Sequence, residues 1–516
     1  MIKNLKFNLL FISFFFYIPL KLLPNTNFHT SKSFFTVQPI FRVTSPEVLS
    51  IKRDNIAIIE NEKRFNFDIT PYFGQSYDHK ALAKYFLPFE KSTIIAGEFG
   101  STAGQSGTLD VIANYFGVLT AAYPVQGDTI VPTLFNYTFQ SELTFEPKQT
   151  FFGATLSYRQ HLSRYMDRGF WFEIVVPIEH VKNDIGLKEK IIDAGGPNKN
   201  DPAVPAGSVG NMTEAFAQST WKYGKIAGPQ STTGIADAYL KVGLIFVKEI
   251  ERHLFSYIGL IGPTGNKPTS QFLFEPVVGN NGHFGLFFGT SGGFRIWSEC
   301  ETSIYFAIDT SGTGFAPNTQ TRSFDLKDKS FSRYMWVYLD RNSTTTSPGI
   351  NSFTQLLDVH PGSMRDLNTA YIFKHCGFEW EVGYHFHSRS PEDVKLSRTW
   401  QPNVAIASII ASDDTFNFGG TSRNGATINN YLGVKNDLTN TIDGTDTYKT
   451  IQESDLNLES AAHPSVVAHT LYTTFSYNWA ERRHPIFLGG GGSFDFAPDN
   501  AAMLRWMAWF RLGIMF

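Results

Sequence analysis

The chain has 516 residues, 42% of them apolar and only 18% charged, with 43 Gly and an aromatic share of 15% led by 48 Phe. That much aromatic and branched apolar surface excludes intrinsic disorder, and 44 Lys+Arg against 47 Asp+Glu leave a net charge of −3, too little positive field to hold a nucleic-acid backbone. A polytopic helical membrane protein is excluded too, because a spanning helix needs about 20 consecutive apolar residues and only the N-terminus comes near that.

At that N-terminus, Lys3 and Lys6 precede a mostly apolar run from Phe7 to Leu20 that Lys21 ends. The run is short for a membrane span and suits the core of an export signal. Residues 1–23 are therefore predicted to be a signal peptide with an undefined cleavage site, and 24–63 a periplasmic N-terminal segment.

From residue 64 onward the dominant pattern is alternation. In 135–145, Phe135, Tyr137, Phe139, Leu143 and Phe145 alternate with Asn136, Thr138, Gln140, Glu142 and Thr144, the signature of a strand with one apolar and one wet face. Residues 152–161 repeat it, and Glu146-Pro147-Lys148-Gln149 between them reads as a hairpin turn. Strand candidates then lie near 65–77, 106–122, 134–146, 149–162, 169–182, 234–247, 252–262, 283–297, 300–312, 330–340, 369–387, 395–411, 462–479, 484–496 and 502–516. Many exceed the length of strands in soluble sandwiches and match the roughly 9–11 residues of a tilted transmembrane strand. Connections alternate between short, as at 248–252, 388–394 and 480–484, and long, as at 183–233 and 412–461, as expected for tight periplasmic turns and long external loops. The predicted fold is all-β: an antiparallel transmembrane β-barrel over 64–516 with an even count of 14–16 strands. A crossing near 351–360 would give the larger number; folding of 108–121 into the lumen would give the smaller. The stretch 78–132 is predicted to be a plug or the first external loop.

The last strand is the most specific feature. Leu504, Trp506, Ala508, Phe510, Leu512, Ile514 and Phe516 form an unbroken apolar face, alternating with Arg505, Met507, Trp509, Arg511, Gly513 and Met515. The ending Phe510-x-Leu512-Gly513-Ile514-x-Phe516 resembles the C-terminal signal of bacterial outer-membrane β-barrel proteins, which are porin-like in this pattern. The resemblance implies an outer-membrane location, surrounding lipid, and the barrel-assembly machinery as a partner that reads Phe510, Leu512, Ile514 and Phe516. The acidic constriction-loop motif of general porins is not found, so no subfamily is assigned.

The alternation also nominates lumen-facing charges: Glu142, Glu173, Asp237, Glu379 and Glu381 against Arg159, Lys241, Arg505 and Arg511. Five negative and four positive charges predict no strong ion preference. His385 and His387 share one wet face and are a weak metal candidate, more simply read as polar wall, so neither metal nor cofactor is assigned. His387-Ser388-Arg389-Ser390 lacks the His-x-Ser spacing on a lipid-facing strand of outer-membrane phospholipases, and no enzyme activity is predicted. Gly489 to Gly492 lack the ending of a phosphate loop and read as strand glycines. Cys300 and Cys376 read as two free thiols, their pairing left open. The expected function is passive diffusion of small hydrophilic solutes through a water-filled lumen. The alternatives are a surface adhesin or structural barrel with a plugged lumen, and a channel for hydrophobic compounds with an N-terminal plug; a homo-oligomer is compatible with each.

Overall fold

The computed structural model describes residues 31–36, 65–97, 108–110, 125–126, 129–130, 140–162, 169–194, 209–327, 330–334, 336–339, 346–401, 404–406 and 451–516. The predicted signal peptide, most of 98–139 and the stretch 407–450 lie outside them. Twelve strands form the wall: β1 (Phe65–Ser76), β2 (Lys148–His161), β3 (Gly169–Asp184), β4 (Tyr239–Lys248), β5 (Arg252–Ile261), β6 (Gly285–Glu299), β7 (Thr302–Phe315), β8 (Met364–His375), β9 (Phe378–Arg389), β10 (Val466–Trp479), β11 (Ile486–Phe496) and β12 (Arg505–Met515). Each pairs antiparallel with the next, and β12 closes on β1, with Asn66 opposite Met515 and Gln75 opposite Trp506. Phe65 and Phe516 exchange backbone hydrogen bonds of 3.2 and 3.0 Å at the seam. The strand Gln230–Ile235 continues β4 upward along β3, separated from it by a one-residue register shift at 236–238.

Closure satisfies the ladder of every wall strand, which lets the barrel stand in hydrocarbon. Its outer face is apolar: Phe67 and Phe73 on β1, Phe288 on β6, Tyr371 on β8, Leu471 and Phe475 on β10 and Phe510 on β12 are all exposed. Among the described residues no helix is long and apolar enough to cross a membrane.

Both ends of the wall sequence, Phe65 and Met515, lie at one rim together with His161, Gly169 and the turns 249–251, 300–301, 376–377 and 480–485. In the two-residue turn Cys376-Gly377, φ of 47° and 83° gives the mirror-image geometry that matches strand twist. Cys300 and Cys376 sit exposed on neighbouring turns as free thiols, and the Cys376 thiol donates to the Glu301 carboxylate. At the opposite rim, the connections fold together as a cap with its own core. Helix α1 (His79–Phe86), capped by the Asp78 carboxylate accepting the Ala81 N–H at 3.1 Å, buries Leu82, Tyr85 and Phe86 there, and α2 (Met212–Ala217) adds Met212 and Phe216 beside Trp221, Tyr334, Phe353 and Trp400.

This arrangement corrects the expected strand number to twelve. The candidate 369–387 is two strands. Of 134–146 only Gln140–Thr144 is described as strand, and it pairs with Thr93–Gly97 and Lys188–Asp193 in the cap, so Glu146 to Gln149 is not a wall hairpin. The candidate 330–340 contributes a helical turn and Trp336–Tyr338, while Thr354–His360 pairs with Asn318–Ser323 and Asp393–Leu396. These segments alternate because a small cap sheet also has one buried face; period two does not distinguish it from a wall strand. Of the segment 24–63, Ser31–Thr36 is described, and it packs in the cap, at the rim opposite Phe65.

Inside the wall, aromatic rings lie over glycines on the neighbouring strand. Tyr72 faces Gly153, Trp171 faces Gly243, Tyr257 faces Gly289, Tyr472 faces Gly383 and Phe487 faces Gly513, each pair in direct register. A Cβ added at Gly243, Gly383 or Gly513 would fall 2.0–2.2 Å from a ring carbon. The abundance of glycine and aromatics is therefore partly one feature, because each ring takes the space its partner's side chain would occupy. In the glycine run, Gly491 lies under Trp509 in this way.

Candidate functional site

The inward face mixes rings, glycines and charged groups, and register sets opposite charges side by side. Arg159 on β2 faces Glu173 on β3, which faces Lys241 on β4. Lys241 Nζ lies 3.2 Å from the Glu173 carboxylate, and the Arg159 guanidinium lies 4.0 Å over the Trp171 ring. Across the seam, Arg511 donates from Nε and Nη2 to Asp68 at 3.2 and 2.9 Å. Higher on β12, Arg505 is 3.5 Å from Asp495, which also accepts the Thr470 hydroxyl at 2.7 Å.

The far wall is acidic. Asp309 on β7 accepts the Tyr257 hydroxyl at 2.8 Å, and Glu381 accepts that of Tyr472 at 3.1 Å. Glu379 is 3.2 Å from Lys374. His385 Nε2 and His387 Nδ1 both turn to one oxygen of Asp366, at 3.0 and 2.9 Å. The histidine pair thus shares a carboxylate, and among the described residues no His/Cys/Asp/Glu group is arranged to hold a metal. The arginines and lysine expected from sequence cluster on β12, β2 and β4, whereas Asp309, Asp366, Glu379 and Glu381 come from β7 to β9.

Seven of the expected lumen residues, Arg159, Glu173, Lys241, Glu379, Glu381, Arg505 and Arg511, do lie on the inner wall, and all are buried. Rings over glycines and paired charges pack around them. Glu142 is corrected, since its strand belongs to the cap sheet, opposite Ile95 and Lys190. Asp237 sits in the break above β4, where its carboxylate accepts the backbone N–H groups of Asn280 at 2.7 Å and Gly265 at 3.4 Å. It organises a connection rather than the lumen. Phe510, Leu512 and Phe516 face outward on β12 with Ile514 half-buried between them. Asp68 and Asp366 were missed, although both keep the inward phase of their strands.

A second charged centre lies in the cap, between strands and out of reach of any periodicity. Arg322 donates to Glu392 at 2.6 Å and to the Ala461 carbonyl at 2.8 Å, and Arg389 donates to the other Glu392 oxygen at 3.1 Å. The two guanidiniums hold the Glu392 carboxyl well below the ordinary range against the cost of burial. Beside it, burial pushes His463 down to about 3. A histidine kept neutral in the fold takes up a proton more readily when unfolded, so its contribution is complete above the unfolded pKa near 6.5 and is lost as pH falls towards 3. Glu392 acts in the same direction below its unfolded pKa of about 4.3. Lowering pH from 7 to 5 is expected to weaken the cap by about 2 kcal/mol through His463. Cleavage after Glu453 or Glu459 by a glutamate-specific protease, normalised to an unfolded peptide cut by the same enzyme at each pH, should accelerate over that interval while heat-modifiable gel migration persists; a normalised rate independent of pH would refute it.

A closed antiparallel barrel with an apolar exterior, short turns at the terminal rim and long connections at the other is a transmembrane barrel of the bacterial outer membrane. Neither a known protein family nor a curated protein matches the sequence. Among solved structures, the COG4313 outer membrane channel from Pseudomonas putida F1 is similar at 10% identity and a TM-score of 0.39, over 88% of this chain and 96% of that one. A Pseudomonas aeruginosa FadL homologue is similar at 8% identity and a TM-score of 0.29, over 94% of this chain and 98% of that one. Both likenesses are distant, and the fold assignment stands on the strand pairing itself.

Proposed function

We propose that the protein is an outer-membrane channel for small polar solutes that rests closed beneath its cap. The observation that carries this reading is the set of ion pairs and acidic groups on the inner wall: Lys241 with Glu173, Arg511 with Asp68, Arg505 with Asp495, and Asp309, Asp366, Glu379 and Glu381 on β7 to β9. Charged and hydrogen-bonding groups on the inner wall can replace part of the hydration of a polar solute and offer none to an apolar one, which favours the polar path over one for hydrophobic compounds. No step in this function needs a catalytic group or cofactor. The buried packing of the wall and cap favours a second reading, a stoppered barrel with a binding or structural role. Planar-bilayer recording separates the two. Brief, small stepwise openings are expected, and Lys241→Ala should raise their frequency by unpairing the wall. A bilayer that stays silent at high protein load, for both proteins, would leave only the stoppered barrel.

A further inference from the structure

The cap contains a cleft with an occupant. Ser31–Thr36 runs through it and touches four separate connections. The Lys32 N–H donates to the Tyr85 carbonyl at 3.1 Å, and the Ser33 N–H to the Ser460 carbonyl at 2.8 Å. Tyr85 donates its hydroxyl to the Phe34 carbonyl at 2.7 Å, and Thr36 donates to Glu392 at 3.2 Å. The Phe34 ring lies 3.5 Å from the Arg322 guanidinium, and Phe35 sits in an aromatic box with Tyr85 at 4.8 Å, His463 at 5.1 Å and Phe274 at 6.1 Å. Ser33 also reaches the Ser323 carbonyl.

We infer that this cleft is a peptide-binding site and that Ser31–Thr36 is its tethered ligand, latching the connections after β1, β5, β7 and β9 into one cap. The recognised chemistry is an extended segment with two adjacent aromatic residues. One ring stacks on a guanidinium that Glu392 already neutralises, the other fills the box, and the backbone is read on both sides by Tyr85 and Ser460. Because one segment bridges all four connections, removing it takes away contacts that no single connection supplies to the others. Linked to the proposed channel, and resting on that reading for this consequence alone, release of the latch frees the cap from the lumen mouth.

The test uses the full chain carrying Phe34→Ala and Phe35→Ala, purified in detergent, with a fluorescein-labelled Ser-Lys-Ser-Phe-Phe-Thr peptide as probe. The variant should remain heat-modifiable and bind the peptide saturably, at least about tenfold tighter than wild type does, whose cleft is occupied. A probe with both Phe replaced by Ala should not bind. Equal binding to variant and wild type, or none to either, overturns the latch. Should the double variant fail to fold, Ser33→Cys with Ser460→Cys decides the matter: adjacent backbones suit a disulfide, so diamide should link them rapidly in membranes, and absence of the link overturns the docked position. Bilayer recording then separates the two proposals. Peptide that binds yet leaves every variant silent ends the channel reading and keeps the latch; a variant that opens more often, closes with peptide added on the cap side, and ignores peptide on the other side supports both.

Discussion

Arg322→Ala is expected to unfold the cap while sparing the barrel, at a cost of about 3–5 kcal/mol, the usual penalty for breaking a buried ion pair on one side. Arg322 is fully buried, and its guanidinium donates to Gln320 at 3.0 and 2.8 Å besides Glu392 and the Ala461 carbonyl. Without it, Glu392 keeps Arg389 at 3.1 Å and the His463 N–H at 3.0 Å, but loses its shortest partner in a site without solvent. The connections after β7 and β9 then lose a shared anchor at once. Proteolysis should cut 316–363 and 451–465 in the variant within minutes, while the wall still migrates as a compact band before boiling. Arg322→Met combined with Glu392→Leu should recover a good part of the loss, because removing both charges leaves none buried and unpaired. Equal protease resistance of Arg322→Ala and wild type would mean that the centre does not hold the cap.

What the sequence made legible follows from what repeats. Every wall strand except β8 was found at about the right place, because an apolar outer face and a polar inner face alternate in each. β8 was merged with β9, yet the parity does change there: Tyr371 and Phe373 occupy odd positions and Phe378 and Trp380 even ones. A two-residue turn leaves no linker to notice, and only that parity shift marks it. The same rule that found Arg159, Glu173 and Lys241 applies to Asp68, which shares its phase with Asn66 and Thr70. Arg322, Glu392 and His463 gave no such signal. Arg322 lies on the short cap strand Asn318–Ser323 and the other two lie outside strands, and what makes them a site is tertiary proximity over 70 or more residues. Packing of the lumen was hidden for a related reason. Alternation shows which side a ring faces, whereas the pairing of a ring with a glycine depends on register between strands.

That pairing sets the second large effect. Gly383→Leu is expected to prevent the barrel from closing. A Cβ at position 383 would stand 2.0 Å from two atoms of the Tyr472 ring end, and Tyr472 cannot swing aside, since its hydroxyl donates at 2.9 Å to Asn368 and 3.1 Å to Glu381. The strain has only the β9–β10 ladder to go into, and the ladder is what closes the wall. Overpacking of this kind costs about 1–3 kcal/mol for an extra methylene or so and more for a larger group, so Gly383→Ala should lower the thermal midpoint and Gly383→Leu should abolish the compact band. Gly314→Ala is the matched comparison, as its Cβ would meet nothing within 4 Å, and it should behave as wild type. Tyr472→Ala placed with Gly383→Leu should restore closure, because the added side chain then occupies the space the ring has left. If Gly383→Ala and Gly314→Ala melted alike, the rings would not be seated on the glycines, and the abundance of both residue types would need another cause. If they differ as expected, the interior is filled by register rather than by bulk. A barrel built this way can open only by moving its cap and paired charges, because the rings stay fixed to the wall.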